Sequence, residues 1–256
     1  MLFHLRRLTT QLALLMLTIP VLAAAAPIRL ATLEWRPYVS AQLPGNGFTA
    51  QVVSLAAARL DRQSQFEFLP WVRAMKLGSS AQQFSGYFPA YYTEERAALC
   101  HFSAPVGMST IGLAYLKTAP VVWRTLNDLQ PVRVGVVLGF SNGKEFDALV
   151  ASKGIAVEIS ETDLLNVKKL LAHRSQAIVI DRLVLRYLLM TEPGLAGAQS
   201  QIEFGAKPLA ELSMHVCFQR NAAGQQLQTG FDKALQGIDL QRVEAEYFEQ
   251  LRPRQH

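Results

Sequence analysis

Few side chains in this sequence have both the type and the neighbours to do chemistry, and most are suited to holding a charged small molecule. Arg96 follows Thr93 by three residues and sits beside Glu94 and Glu95. A guanidinium is a planar fork that meets a carboxylate with two parallel hydrogen bonds. Beside two acids it can equally be a solvated surface charge. Asp181 closes a run of aliphatic residues, 178–180. An acid there either caps the helix that begins at Arg182 or meets an ammonium group, and one carboxylate can do both. Ser141 lies in the stretch 139–143, between an apolar run and a helical pattern. Backbone N–H groups at a helix start favour an anion, and a capped turn is the plainer reading of the same residues. Trp35 and Tyr38 flank Pro37 in a loop that leaves a strand, where α/β folds bind ligands. Trp71 is either core or a cleft wall, and Tyr91 and Tyr92 precede Thr93.

The elements that must position these residues begin after an export signal. Arg6 and Arg7 precede an apolar stretch, 12–22, which ends in Ala23, Ala24, Ala25 and Ala26. That stretch is shorter than the roughly 20 apolar residues of a membrane span, and the small residues mark a signal-peptidase site. Cleavage after Ala24 or Ala25 is expected, which makes 1–25 a signal peptide and the remainder periplasmic. The remainder is long enough for one large or two small domains. It alternates strand and helix, the pattern of an α/β fold. Strands are expected near 28–33, 66–69, 87–92, 111–116, 132–138, 156–159 and 177–180, with a half-buried strand over 212–218. Ser160 and Asp163 read as a capping box opening a helix with Leu164, Val167, Leu170 and Leu171 on its buried side. Two such series without a flexible linker suggest two lobes sharing a hinge, each with its own sheet.

Composition narrows the function. The formal charge of +5 is spread along the chain without a Lys/Arg run, so no nucleic-acid partner is expected. There is no paired-histidine or Cys-x-x-Cys motif for a metal, and His101, His173 and His215 have no catalytic partners that the sequence identifies. No cofactor, no metal and no enzymatic activity are expected. Cys100 and Cys217 are the only cysteines. An oxidising compartment permits a bridge, yet both lie in apolar runs, 97–102 and 212–218, which favours two buried free thiols.

Four segments in order resemble the family 3 extracellular solute-binding proteins, the receptors of polar amino-acid ABC transporters. They are Glu34-Trp35-Arg36-Pro37-Tyr38, then Tyr92-Thr93-Glu94-Glu95-Arg96 with Phe102-Ser103-Ala104-Pro105, then 134–139 and 177–181. The resemblance spans roughly residues 28–251. It implies a type II periplasmic-binding-protein clamshell, with lobe one over 26–109 and 219–256, lobe two over 110–218, and a two-crossing hinge. It also implies that Arg96, helped by Thr93 and Ser141, clamps a ligand carboxylate while Asp181 takes the α-ammonium from the opposite lobe. Trp35, Tyr38, Trp71 and Tyr91 would line the cleft. The ligand would be a small polar zwitterion, an amino acid in family terms, delivered to an ABC permease or reported to a sensor in the membrane. An enzyme on the same fold is the remaining alternative. Ser85 and Gln176 stand where the family carries structural acids, and Phe140 stands where a small polar residue is expected.

The export reading is checked by N-terminal sequencing of the periplasmic fraction, with a mature chain starting at Ala25 or Ala26 as the expected result. Intact Met1 in the membrane fraction would overturn it.

Overall fold

The computed structural model describes residues 25–250. All but the last residue of the expected signal peptide lies outside the described residues. Among the described residues, no helix is long and apolar enough to cross a membrane.

The first half builds strands β1 (Ile28–Thr32), β2 (Ser64–Phe68) and β3 (Gly86–Tyr91), with helix α1 (Phe48–Ala58) and helix α2 (Trp71–Ser80) as crossovers. β1 pairs in parallel with both β2 and β3, and parallel neighbours require such crossovers. α1 buries Val52, Val53 and Ala56, while α2 buries Trp71, Ala74 and Gly78. A side chain at Gly78 would run into Tyr87 and the Gly86 carbonyl, so glycine lets α2 lie close on β3. A short helix α3 (Glu94–Ala97) and strand β4 (Cys100–Phe102), neither expected, follow β3.

The second half repeats the scheme. Strands β6 (Val134–Val137), β7 (Val157–Ser160) and β8 (Ala177–Asp181) are parallel, with helices α4 (Lys144–Ala151), α5 (Asp163–Leu171) and α6 (Arg182–Thr191). Gln176 Oε1 accepts from the Arg133 N–H at 2.9 Å, so a carboxamide ties the start of β8 to the residue before β6. Helices α7 (Ala222–Leu235) and α8 (Leu240–Gln250) return to pack against α1.

Between the halves run two long antiparallel strands, β5 (Gly107–Leu116) and β9 (Ile202–Gln219). Separate sheets were expected. The ladder is instead continuous, nine strands in the order β2-β1-β3-β9-β5-β8-β6-β7 with β4 beside β9. The reason is that β5 and β9 stay paired through the whole crossing, from Gly107 with Met214 to Leu116 with Ile202. The short half-buried strand expected over 212–218 is the end of this 18-residue strand, and its residues 214–218 are all buried. They lie between β3 and β4, with helices α2 and α7 packed on the strand, which buries them. Residues 214–218, counted with the second lobe on sequence, pair with β3 and β4 of the first half.

The cysteine expectation is also corrected. Cys100 and Cys217 form a disulfide, with their Cα atoms 5.5 Å apart. β4 pairs antiparallel with β9, matching Phe102 to Cys217 and Cys100 to Gln219, which brings the two sulfurs together across strands 117 residues apart in sequence. A bridge closing so long a loop contributes typically 2–5 kcal/mol in a secreted domain. The Cys100→Ala/Cys217→Ala double variant is expected to lose about that much unfolding free energy in a denaturant titration, with the same fold at low denaturant.

Candidate functional site

The ends of β1, β3 and β6 converge on a narrow cleft lined by Leu33, Trp35, Trp71, Pro89, Tyr91, Arg96, Phe140 and Ser141. Both halves contribute walls. Five of the residues singled out on the sequence, Trp35, Trp71, Tyr91, Arg96 and Ser141, line it directly. Tyr38, Asp181 and Thr93 do not.

Arg96 is half-buried, and Nη1 donates to the Tyr91 carbonyl while Nη2 donates to the Gly139 carbonyl, each at 3.0 Å. Its guanidinium lies 5.8 Å from the centre of the Trp71 ring. Burial pulls its pKa down, against the pull of Tyr87 and Asp147. Trp71 Nε1 donates to the same Gly139 carbonyl at 3.1 Å. Among the ion pairs between described residues, none involves Arg96. Thr93 caps α3, its hydroxyl oxygen accepting from the Arg96 N–H at 3.2 Å, so it shapes the backbone under the guanidinium.

The 139–143 turn is closed on itself. Ser141 Oγ donates to Asp147 Oδ2 at 2.6 Å, and the Asn142 N–H donates to Asp147 Oδ1 at 3.0 Å. Asp147 sits in the first turn of α4, where a carboxylate complements the helix dipole. These residues also spell Gly-x-Ser-x-Gly between a strand and a helix, the pattern of a nucleophile elbow, where no elbow was expected. Ser141 has an acid and no histidine as its partner, and His215 is engaged by Ser103 and Ser213.

Asp181 is buried behind Tyr38. Its Oδ1 accepts from the Leu183 and Val184 N–H groups at 2.7 and 2.9 Å, which makes it the N-cap of α6. Oδ2 accepts from Ser109 Oγ at 2.6 Å, and the Tyr38 hydroxyl donates to the carboxylate at 3.1 Å. Since Ser109 gives its proton to Asp181, the Tyr91 hydroxyl donates to Ser109 across their 2.6 Å contact. Burial pushes the Asp181 pKa up, while Ser109 and the backbone donors oppose it. Tyr38 in turn packs on Trp35, ring centres 4.5 Å apart.

A second carboxylate was missed. Asp163 is buried, and Trp35 Nε1 donates to its Oδ2 at 3.1 Å across the halves. The capping box is corrected accordingly: Thr162 is the N-cap, accepting from the Leu165 N–H at 3.2 Å, and Asp163 turns inward. An acid in the first turn of a helix reads as a dipole partner, so the sequence carried no sign of this role. Burial, then the nearby charge of Asp181, push its pKa up to about 7, and the indole N–H resists.

No protein-family model matches the chain, and no curated protein sequence matches it. Solved structures do. The GluR0 ligand-binding core from Nostoc punctiforme in complex with L-glutamate superposes with a TM-score of 0.71 at 18% identity, covering 88% of this chain and 98% of that one. An ancestral arginine-binding protein bound to arginine gives 0.69 at 18% identity over 88% and 97%. The fold is the type II periplasmic-binding-protein clamshell. A histidine kinase sensor domain with similarity to periplasmic binding proteins shares it too, with a TM-score of 0.70 at 15% identity over 87% and 93%. In such a clamshell the cleft between the lobes is the place for a ligand, and here that is where Arg96 and the two indoles meet.

Asp163 sets a pH expectation. Its folded pKa of about 7 lies above the ordinary 3.8, so between those values the folded protein holds a proton that the unfolded chain has released. Unfolding free energy should therefore fall as pH rises through that window. Asp163→Asn, which cannot ionise, should flatten that fall in denaturant titrations. An equally steep fall in the variant would remove Asp163 as its source.

Proposed function

We propose that the chain is a periplasmic solute-binding protein that captures a small amino acid between its lobes, with the ligand carboxylate at Arg96 and its ammonium at Asp181. The observation that carries the reading is Arg96 itself. It is a half-buried guanidinium in the interlobe cleft whose hydrogen bonds go to carbonyl oxygens and which is in none of the ion pairs between described residues, Asp147 and Glu95 acting on its charge without pairing with it. A ligand carboxylate would supply the bidentate counter-charge that geometry suits. Asp181 is engaged by Tyr38, so an ammonium would reach it by taking over the Tyr38 hydrogen bond as the aromatic loop shifts. Lobe one would comprise residues 26–109 and the chain from about 213 onward, with the hinge where β5 and β9 cross. The signal-peptide pattern of residues 1–25 in the sequence supports a periplasmic location.

Binding at a two-lobed cleft shifts the population toward the closed form, which an ABC permease would recognise. The likeness to a histidine kinase sensor domain favours a second reading, in which the closed form is presented to a signalling partner. In either case the ligand leaves unchanged. An ancestral amino-acid-binding precursor of cyclohexadienyl dehydratase shares the fold, so recovery of intact ligand after incubation separates binding from turnover.

A thermal-shift panel of amino acids identifies the ligand, because binding to the folded state raises apparent stability. Calorimetry then tests the site. Arg96→Ala and Asp181→Asn should each weaken binding by roughly 30-fold or more, the scale of truncating one partner of a buried charge pair. Wild-type affinity in both variants would sink the zwitterion site.

A further inference from the structure

The cleft is filled partly from within. Trp35 and Trp71 come from the first half of the chain, and Phe140, which follows β6, comes from the second. The Phe140 ring meets Trp35 at 6.2 Å and 79°, and Trp71 at 6.4 Å and 89°. Both are edge-to-face contacts, the arrangement that aromatic quadrupoles favour. One residue earlier, the Gly139 carbonyl accepts from Arg96 Nη2 and from Trp71 Nε1. A single dipeptide thus offers an oxygen acceptor to the guanidinium and a flat ring to the two indoles.

The backbone is shaped for this approach. Gly139 has φ +75°, and a side chain there would press on Val72 at 3.1 Å and Trp71 at 3.5 Å. A residue other than glycine would therefore be strained in conformation and crowded against α2. The ring itself is the departure, since this position was expected to hold a small polar residue.

We propose that Gly139–Phe140 is a tethered stand-in for the ligand, and that the solute displacing it is a carboxylate with a flat aromatic body. For an amino acid, that means an aromatic one. The proposal rests on the solute-binding reading for its site and on Arg96 for the carboxylate, and it adds the side-chain subsite and the internal competitor. A seated competitor lowers apparent affinity by the fraction of molecules that it blocks. Removing the ring vacates the subsite and weakens the competitor together. Two aromatic contacts are involved, so the gain in apparent affinity should be about ten-fold.

Calorimetry on the mature chain tests this with three probes: L-phenylalanine, L-glutamine and 3-phenylpropanoate. Wild type should bind L-phenylalanine more tightly than L-glutamine, and Phe140→Ala should bind L-phenylalanine about ten-fold more tightly than wild type does. Phe140→Leu, which keeps apolar volume without a flat ring, should show a smaller gain, and it decides the matter if the alanine variant does not fold. Unchanged or weaker L-phenylalanine binding in the folded variants overturns the stand-in, because Phe140 would then be an ordinary wall. Tighter binding of L-glutamine than of L-phenylalanine overturns the aromatic class and leaves the zwitterion reading intact. Binding of 3-phenylpropanoate without either amino acid supports the aromatic carboxylate and removes the zwitterion. Failure of all three probes overturns the proposal.

Discussion

A carboxylate buried without partners is too costly to keep in a folded protein, and the way Asp181 is satisfied organises most of this molecule. Its partners come from three places. The Leu183 and Val184 amides belong to its own helix, Ser109 to the β5 crossing, and Tyr38 to the loop after β1. One acid therefore fixes the start of α6, anchors the first crossing strand and draws the aromatic loop across the cleft. Tyr38 carries Trp35 with it, and Trp35 reaches Asp163. The same loop is tied a second time, through Arg36 and Glu192 at 3.8 Å, a partly exposed pair that contributes little by itself. Contacts of this kind tie the two halves together at the cleft through a few polar side chains.

How much of this was legible in the sequence depends on how local the cause was. The parallel strands and their helices were readable, because apolar periodicity and the breakers at Pro70 and Pro193 act over a few residues. The N-cap reading of Asp181 was readable for the same reason, since the cap bonds reach only to Leu183 and Val184. The Cys100–Cys217 bridge and the full length of β9 were not. Both follow from strand pairing between distant segments, and strand 202–212 carries exposed polar residues that hide it from an alternation test.

At the site the division is the same. Arg96, Trp35, Trp71, Tyr91 and Ser141 were named from sequence and do line the cleft. Where their hydrogen bonds go was not readable, because Gly139 and Asp147 are partners by tertiary approach or by a turn whose satisfaction cannot be told from composition. Asp163 was the plainest miss. Its position invited a local explanation, and Thr162 beside it turned out to do that local job.

The unbroken ladder through β5 and β9 has a mechanical consequence. A clamshell whose halves were joined by loops would swivel on bonds free to rotate. These halves are joined by the paired strands β5 and β9, with register irregularities at Ile111 to Ala114, where β5 also pairs with β8. Gly112 lies there, and a side chain on it would run into the Phe204 ring, so glycine lets that ring pack directly on the strand. Paired strands of this kind act as a torsion spring: their backbone hydrogen bonds persist while they twist, and they store a restoring torque when turned from rest. The balance between spring and cleft contacts then sets how far the lobes stand apart.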